Sequence, residues 1–341
     1  MRMEIGMKIL IIFTGGTIGS TVKGDWISTD SATNYMLLDR YRSETGDNET
    51  QFDILSPCTM LSENLTNTEL NAIIESVCTN LDRDYDGIIV THGTDTLQYT
   101  AAALSYAVSG TKLPIVLVSS DYPLSDSRAN GAVNFRAAVE FIRKKAGEGV
   151  FAAYKNDDED RTNIHSAARL SMHRECSGNI YSIDGEAYAC YDGSVILNGK
   201  YKKSTPAKGV GAAKYSDKPC VLTVECRPCD SFDYSLEGVK AVILRPYHSG
   251  TLNTANAALA DFCEKARERG IPVFLVNAAS GKTYESAKLF ESMGLAVLPL
   301  SAYPAIFVKC WPAVSMKKDV KEFVEKIISE EFFEYKIGSS Y

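Results

Sequence analysis

The stretch Lys8-Ile9-Leu10-Ile11-Ile12-Phe13-Thr14-Gly15-Gly16-Thr17-Ile18-Gly19 decides the fold. An apolar run of strand length ends abruptly in a glycine turn. Its apolarity is continuous rather than alternating, so the strand is buried on both faces. That is the pattern of a parallel sheet covered by helices. The same grammar recurs downstream. Gly87–Thr91 leads into Thr91-His92-Gly93-Thr94-Asp95-Thr96, and Pro114–Ser119 leads into Ser119-Ser120-Asp121. Between the first two strands, Thr66 and Glu69 predict a capping box opening a helix with Leu70, Ile73, Ile74, Val77 and Leu81 on one face. A further helix is expected from Thr96, with Leu97, Ala101, Leu104 and Val108 on one face and a stop at Gly110. A helix over about 130–145 and a strand over Val150–Tyr154 follow.

Residues 204–218 are rich in glycine, lysine and alanine and have no period, which reads as a linker. Strands are then expected at Val221–Glu225, Ala241–Arg245, Pro272–Asn277 and Ala296–Leu300. Helices are expected at Thr254–Arg269, Tyr284–Met293 and Lys317–Ile328. The expected architecture is two α/β domains with mainly parallel sheets: 1–203, the linker 204–218, and 219–341. A length of 341 residues agrees, at about 100–200 residues per domain.

Composition narrows the function. Lysine plus arginine (36) against aspartate plus glutamate (43) gives a net charge of −7, without the basic stripe that neutralises phosphate backbones. Nucleic acid is therefore not expected as a partner. Nor is a membrane, since the run Ile9–Phe13 falls far short of the roughly 18 apolar residues of a spanning helix. It is also too short for the core of a signal peptide. Nine scattered cysteines, an odd number without a secretion signal, point to reduced thiols and a cytoplasmic location. Cys226-Arg-Pro-Cys229 has the CxxC spacing, but no second pair completes a zinc site. It reads as a strand end followed by a proline turn, and no metal is expected.

Ligands of open parallel sheets bind outside the carboxyl ends of the strands. The segments there lack the lysine of a P-loop and miss the GxGxxG register. They display hydroxyls instead: Thr14, Thr17, Thr94 and Thr96, with Asp95 among them. A threonine becomes a nucleophile when a neighbour takes its proton and backbone amides receive the oxyanion. Each residue also has a plainer role open to it. Thr17 could bond a loop carbonyl, and Thr94 or Asp95 could cap the following helix. His92 reads as an orienting or packed histidine rather than a base, and no GxSxG elbow supports a serine triad.

The Thr14–Gly19 loop, followed by the Thr91–Thr96 segment on a second strand, resembles the asparaginase/glutaminase family of bacterial type, closest to its cytosolic type I branch. Ser62-Glu63-Asn64, Ser125–Asn134 and Ile243-Leu244-Arg245 extend the resemblance over most of the chain. It implies hydrolysis of an amino-acid amide through a covalent acyl-enzyme, with no cofactor or metal. Thr17 matches the primary nucleophile. Thr94 and Asp95 match the second threonine and the aspartate that recognises the substrate's amino group. Ser62 and Glu63 match the positions that hold the substrate's carboxylate and amino ends, and Ser120 the residue whose backbone meets the scissile amide. A homodimer or homotetramer is also implied, with asparagine, glutamine or another small amide as substrate.

Two departures stand out. Where the family has a loop tyrosine assisting the nucleophile, this chain has Trp26, with Tyr35 the nearest alternative. Where the family has a lysine beside the aspartate, the segment Arg161-Thr162-Asn163-Ile164-His165 offers Asn163 or Ile164. Arg161 and Arg169 are the basic residues on that segment that could supply charge in its stead. The departures motivate a second reading, a catalytically weakened or altered family member that binds an amino acid or related metabolite, or acts on another small amide. Arg245 falls where type I enzymes have a candidate allosteric arginine, and a strand-end salt bridge explains it equally.

Overall fold

The computed structural model describes residues 6–16, 18, 20–23, 26–29, 32–204, 214–278, 284–315 and 319–333, without the side chains of 20–34 and 315. Strand β1 (Lys8–Ile12) is followed by a hairpin, β2 (Ser20–Lys23) and β3 (Trp26–Thr29), then α1 (Ala32–Thr45) and β4 (Gln51–Leu55). Next come α2 (Asn67–Cys78), β5 (Gly87–Thr91), α3 (Leu97–Ala107), β6 (Pro114–Val118), α4 (Gly131–Arg143) and β7 (Gly149–Tyr154). Strands β8 (Thr162–Ser166), β9 (Ala189–Tyr191) and β10 (Val195–Leu197) complete the first sheet. Its order is β10-β9-β8-β7-β6-β5-β1-β4. From β4 to β7 every pairing is parallel, and β8, β9 and β10 add on antiparallel.

A second sheet follows, with β11 (Val221–Glu225), β12 (Ala241–Arg245), α5 (Ala257–Glu268), β13 (Val273–Leu275) and β14 (Leu295–Val297). It is parallel throughout, in the order β11-β12-β13-β14. Helices α6 (Tyr303–Ser315) and α7 (Val320–Glu325) close the described chain. The α/β class with mainly parallel sheets is thus as expected.

Local physics accounts for these elements. Every residue of β5 and of β6 is buried, as continuous apolarity demands. Thr66 caps α2 with the expected box: its hydroxyl accepts from Thr68 N at 3.2 Å, and Glu69 Oε2 accepts from Thr66 N at 3.1 Å. Two cores flank the first sheet. One, containing Leu10, Ile88, Leu104 and Tyr154, continues into the second sheet through Ile243 and Phe274 and into α6 through Ile306. The other, containing Ile9, Ile89, Phe135 and Ile164, lies under α1 and α4.

The expected helix over Tyr284–Met293 is instead a 3-10 turn at Glu285–Leu289 with no buried residue. Without an apolar face to bury, a helix there has little to hold it. The expected terminal helix over Lys317–Ile328 is shorter, with Asp319 accepting from Glu322 N at 2.8 Å at its start. Most of the expected linker, 205–213, lies outside the described residues; beyond that stretch Tyr215 is buried and donates its hydroxyl to Val308 O at 3.1 Å.

Candidate active site

Across space the parallel strands of the first sheet run β4, β1, β5, β6, β7, so the direction of winding reverses between β1 and β5. Chains leave these two strands in opposite directions, and outside the carboxyl ends at such a point doubly wound sheets form the crevice that binds ligands. The loop after β1 and the loop after β5 border that crevice.

Glycines let the loops meet. Gly15 and Gly16 have φ of +93° and +74°, where side chains other than glycine are strained. A Cβ on Gly16 would collide with the backbone of Gly93, and one on Gly93 would collide with the side chain of Ser62. Gly16 N donates to Met60 O at 2.8 Å, which ties the first loop to the segment carrying Ser62. Ser62 opens a 3-10 turn, Ser62–Asn64. Its hydroxyl donates to Asp95 Oδ2 at 3.0 Å and lies 3.3 Å from Asp95 N. Its carbonyl accepts from the Thr96 hydroxyl at 2.8 Å. Three segments remote in sequence therefore meet at this end of the sheet, and Ser62 is the one in contact with Asp95.

The four hydroxyls part company here. Thr14 is buried and donates to Thr91 O at 2.7 Å, joining the ends of β1 and β5. Thr96 holds Ser62. Thr94 is half-buried, and its hydroxyl has no partner among the described residues. Thr17 lies outside the described residues. Neither Thr94 nor Asp95 caps α3: the N-cap position is Thr96, without a side-chain bond to the helix. His92 is fully buried. Gly93 O accepts from its Nδ1 at 2.8 Å, and its Nε2 accepts from the Thr100 hydroxyl at 2.9 Å. Burial lowers its pKa to about 4, so it stiffens the turn as a neutral, packed ring.

The asparaginase N-terminal family profile matches residues 8–179, about half of the 341-residue chain. This chain belongs to the asparaginase family. It is 34% identical over 149 residues to an L-asparaginase of Thermococcus kodakarensis, covering 43% of this chain and 44% of that relative. It is 31% identical over 272 residues to a glutamyl-tRNA(Gln) amidotransferase subunit of Thermofilum pendens, covering 73% of this chain and 57% of that one. The chain thus spans about half the length of these curated relatives. In fold it is similar to L-asparaginase I of Vibrio cholerae, with a TM-score of 0.78, 21% identity, and coverage of 96% and 99% of the two chains.

Around this asparaginase-family crevice, His92 N donates to Val118 O at 2.9 Å, bringing the β6 loop alongside. Ser120 is buried there. It donates to Tyr122 O at 2.6 Å and accepts from Gly131 N at 3.1 Å, so its side chain is committed to the loop. Glu63 is exposed beside Ser62, with no partner for its carboxylate among the described residues. No helix among the described residues is long and apolar enough to cross a membrane.

The two candidates for the family's lysine position, Asn163 and Ile164, both lie on β8, paired with β7. Residues opposite each other in an antiparallel pair share a face. Asn163 stands opposite Tyr154, which belongs to the core on the α3 side. Ile164 is buried in the core under α4 and is a packing residue. Asn163 donates its amide to Glu159. Arg161 is exposed. Arg169 is no substitute cation: fully buried, it meets Asp184 at 2.9 Å and donates to Glu330 O and Lys202 O. Tyr35 on α1 is 64% exposed, and the side chain of Trp26 is not among those described. Arg245 pairs with Glu225 at 3.3 Å and lies over the Tyr303 ring, which accounts for it as a strand-end salt bridge.

Two residues near Asp95 escape a reading of the sequence. Gln98, buried in the first turn of α3, donates Nε2 to Asp95 O at 2.9 Å and lies 3.4 Å from Met172 Sδ. Beside Met172 is His173, whose ring meets Tyr154 edge-on at 5.8 Å. Burial lowers the pKa of His173 to about 4, against the opposing pull of Asp95. The chain has only four histidines, and that scarcity is the one signal the sequence offers.

Proposed function

We propose that this chain hydrolyses a small amino-acid amide, L-asparagine first, to the acid and ammonia through a threonine acyl-enzyme. The observation that carries the reading is the contact of Ser62 with Asp95 at the switch point, beside a close glycine contact that brings the two loop backbones together. In this reading the Thr17 hydroxyl oxygen bonds to the amide carbon, and its proton leaves with the nitrogen as ammonia. Water then bonds to the acyl carbon and releases Thr17. Thr94 serves the second threonine's role. Asp95 and Glu63 take the substrate's ammonium, since opposite charges desolvated together reinforce each other. Ser62 takes the carboxylate, and the backbone at Ser120 meets the scissile amide. The threonine is the nucleophile and water the second attacking group, and the reading includes no metal or cofactor. We read the chain further as a cytoplasmic homodimer or homotetramer.

A second reading is supported by relatives named as amidotransferase subunits and by Asn163 and Ile164, neither of them cationic, at the candidate places of the family's lysine. There the chain would act on a different amide, or deliver its nitrogen within a larger assembly. Ammonia release by the purified chain from asparagine, glutamine and a small amide panel separates the two. Release from asparagine at family-like rates supports the first. Silence on free amino acids, with release from another amide or only beside a partner, supports the second.

A further inference from the structure

We infer that Gln98 is a positioning residue of the site: its buried amide sets the carbonyl of Asp95, and through it the carboxylate that meets the substrate's ammonium. The inference rests on the amide-hydrolysis reading and deepens it. The carbonyls between β5 and α3 are held one by one. His92 Nδ1 donates to Gly93 O at 2.8 Å, and Leu97 N donates to Thr94 O at 3.4 Å. Asp95 O differs. At a regular helix start it would accept from the backbone of Tyr99, but Tyr99 N turns to Thr96 O at 3.1 Å. Among the described residues, the Asp95 carbonyl takes its hydrogen bond from Gln98 Nε2 at 2.9 Å. On the other side, Asp95 N and Oδ2 face the Ser62 hydroxyl at 3.3 and 3.0 Å. Ser62 and Gln98 therefore hold the residue between them.

Gln98 is fully buried, and Nε2 is shared between Asp95 O and Met172 Sδ, the latter at 3.4 Å. Its Oε1 is buried with no partner among the described residues. An open buried acceptor destabilises a fold, so it calls for an explanation. The donor supplies one. Turned the other way, the amide would set Oε1 against the Asp95 oxygen, so the bond to Asp95 is what strands Oε1. An apolar side chain of the same length would fill the place without that cost, but it would leave the carbonyl unheld. Losing the amide frees the Asp95 peptide to rotate and carries the carboxylate off Ser62. Thr94 keeps its own anchor, Leu97 N. The consequence therefore falls on substrate binding rather than on the chemical step.

The test measures aspartate affinity by calorimetry, kcat and KM for asparagine, and the thermal midpoint in wild type, Gln98→Met and Gln98→Ala. Methionine keeps the volume and removes the donor. Alanine removes both and leaves room for a water, which can donate to Asp95 O in the amide's stead. We expect Gln98→Met to weaken aspartate binding about three- to tenfold, the scale of a neutral hydrogen bond. KM should rise in step, with kcat little changed. Gln98→Ala should bind aspartate more tightly than Gln98→Met, although its cavity makes it the less stable of the two. Affinity then follows the donor while stability follows packing. Affinity that falls in the order of the thermal midpoints, or that is unchanged in Gln98→Met, overturns the inference. If either variant fails to fold, NMR of the wild-type Gln98 side-chain amide replaces it: aspartate should shift the signal, and an unmoved signal overturns the inference. Wild type that binds aspartate but releases no ammonia from any amide sinks the hydrolysis reading and leaves Gln98 to be judged by affinity. Active wild type with unchanged affinity in Gln98→Met sinks only the role of Gln98. Wild type that neither binds aspartate nor releases ammonia sinks both.

Discussion

Asp95 stands exposed at the crevice with one carboxylate oxygen engaged by Ser62. That arrangement suits a carboxylate waiting for an ammonium, and it makes a quantitative demand. Asp95→Asn removes the charge from a hydrogen bond worth about 1.5–3 kcal/mol, so aspartate binding by calorimetry should weaken roughly 10- to 150-fold. Unchanged affinity would reduce Asp95 to a structural partner of Ser62. At this scale the sequence is only partly legible. The two threonine-rich turns announce themselves, because glycines beside hydroxyls at strand ends are chemically distinctive. Which hydroxyls are spent on the fold is not legible. Thr14 and Thr96 look like Thr94 until their partners, Thr91 O and Ser62 O, are brought 2.7 and 2.8 Å away by tertiary folding. Gln98 is hidden for the same reason, since only the fold brings its amide 2.9 Å from Asp95 O and 3.4 Å from Met172 Sδ.

Among the elements, the strands buried on both faces are readable because their apolarity is continuous. Helix α6 is not. It is apolar nearly all round and carries Pro312 inside, so it shows neither a polar face nor an uninterrupted helical run. Helix α1 escapes for the opposite fault, a polar sequence whose buried face rests on few residues, Leu37, Leu38 and Tyr41. Its C-terminal end is instead held by Asp47. That carboxylate meets Arg143 of α4 at 2.6 Å and accepts from the hydroxyls of Tyr41 at 2.7 Å and Thr50 at 2.6 Å. Burial works against the charge, but bonds from Thr50, Tyr41 and Arg143 together hold its pKa well below the usual carboxylate range. A depressed folded pKa contributes stability above the unfolded value of about 3.9 and loses it as pH falls through the folded one. Asp47→Asn should therefore cost about 1–3 kcal/mol at pH 7, with the gap in thermal midpoint closing below about pH 4. A gap that stays constant across that window would show that the charge is not what matters.

Across the whole molecule, one buried core runs from β1 and β5 through α3 and α6 into β12 and β13, so the two sheets share their interior. Tyr106 of α3 donates to Ala305 O of α6 at 3.1 Å within it. Calorimetry should then record a single unfolding transition. Ile306→Ala, at a fully buried position of that core, should lower the whole transition by about 2–5 kcal/mol. Two separable transitions would contradict a shared core. The shared interior also matters for function, because it packs α3, the helix that follows directly on the turn carrying Thr94 and Asp95. What the fold serves is tested most directly by measuring ammonia release from asparagine for wild type and Thr17→Ala side by side. The account predicts steady release by wild type, and none by a Thr17→Ala variant whose thermal midpoint is nearly unchanged. Equal release by both, or none by wild type, would contradict it.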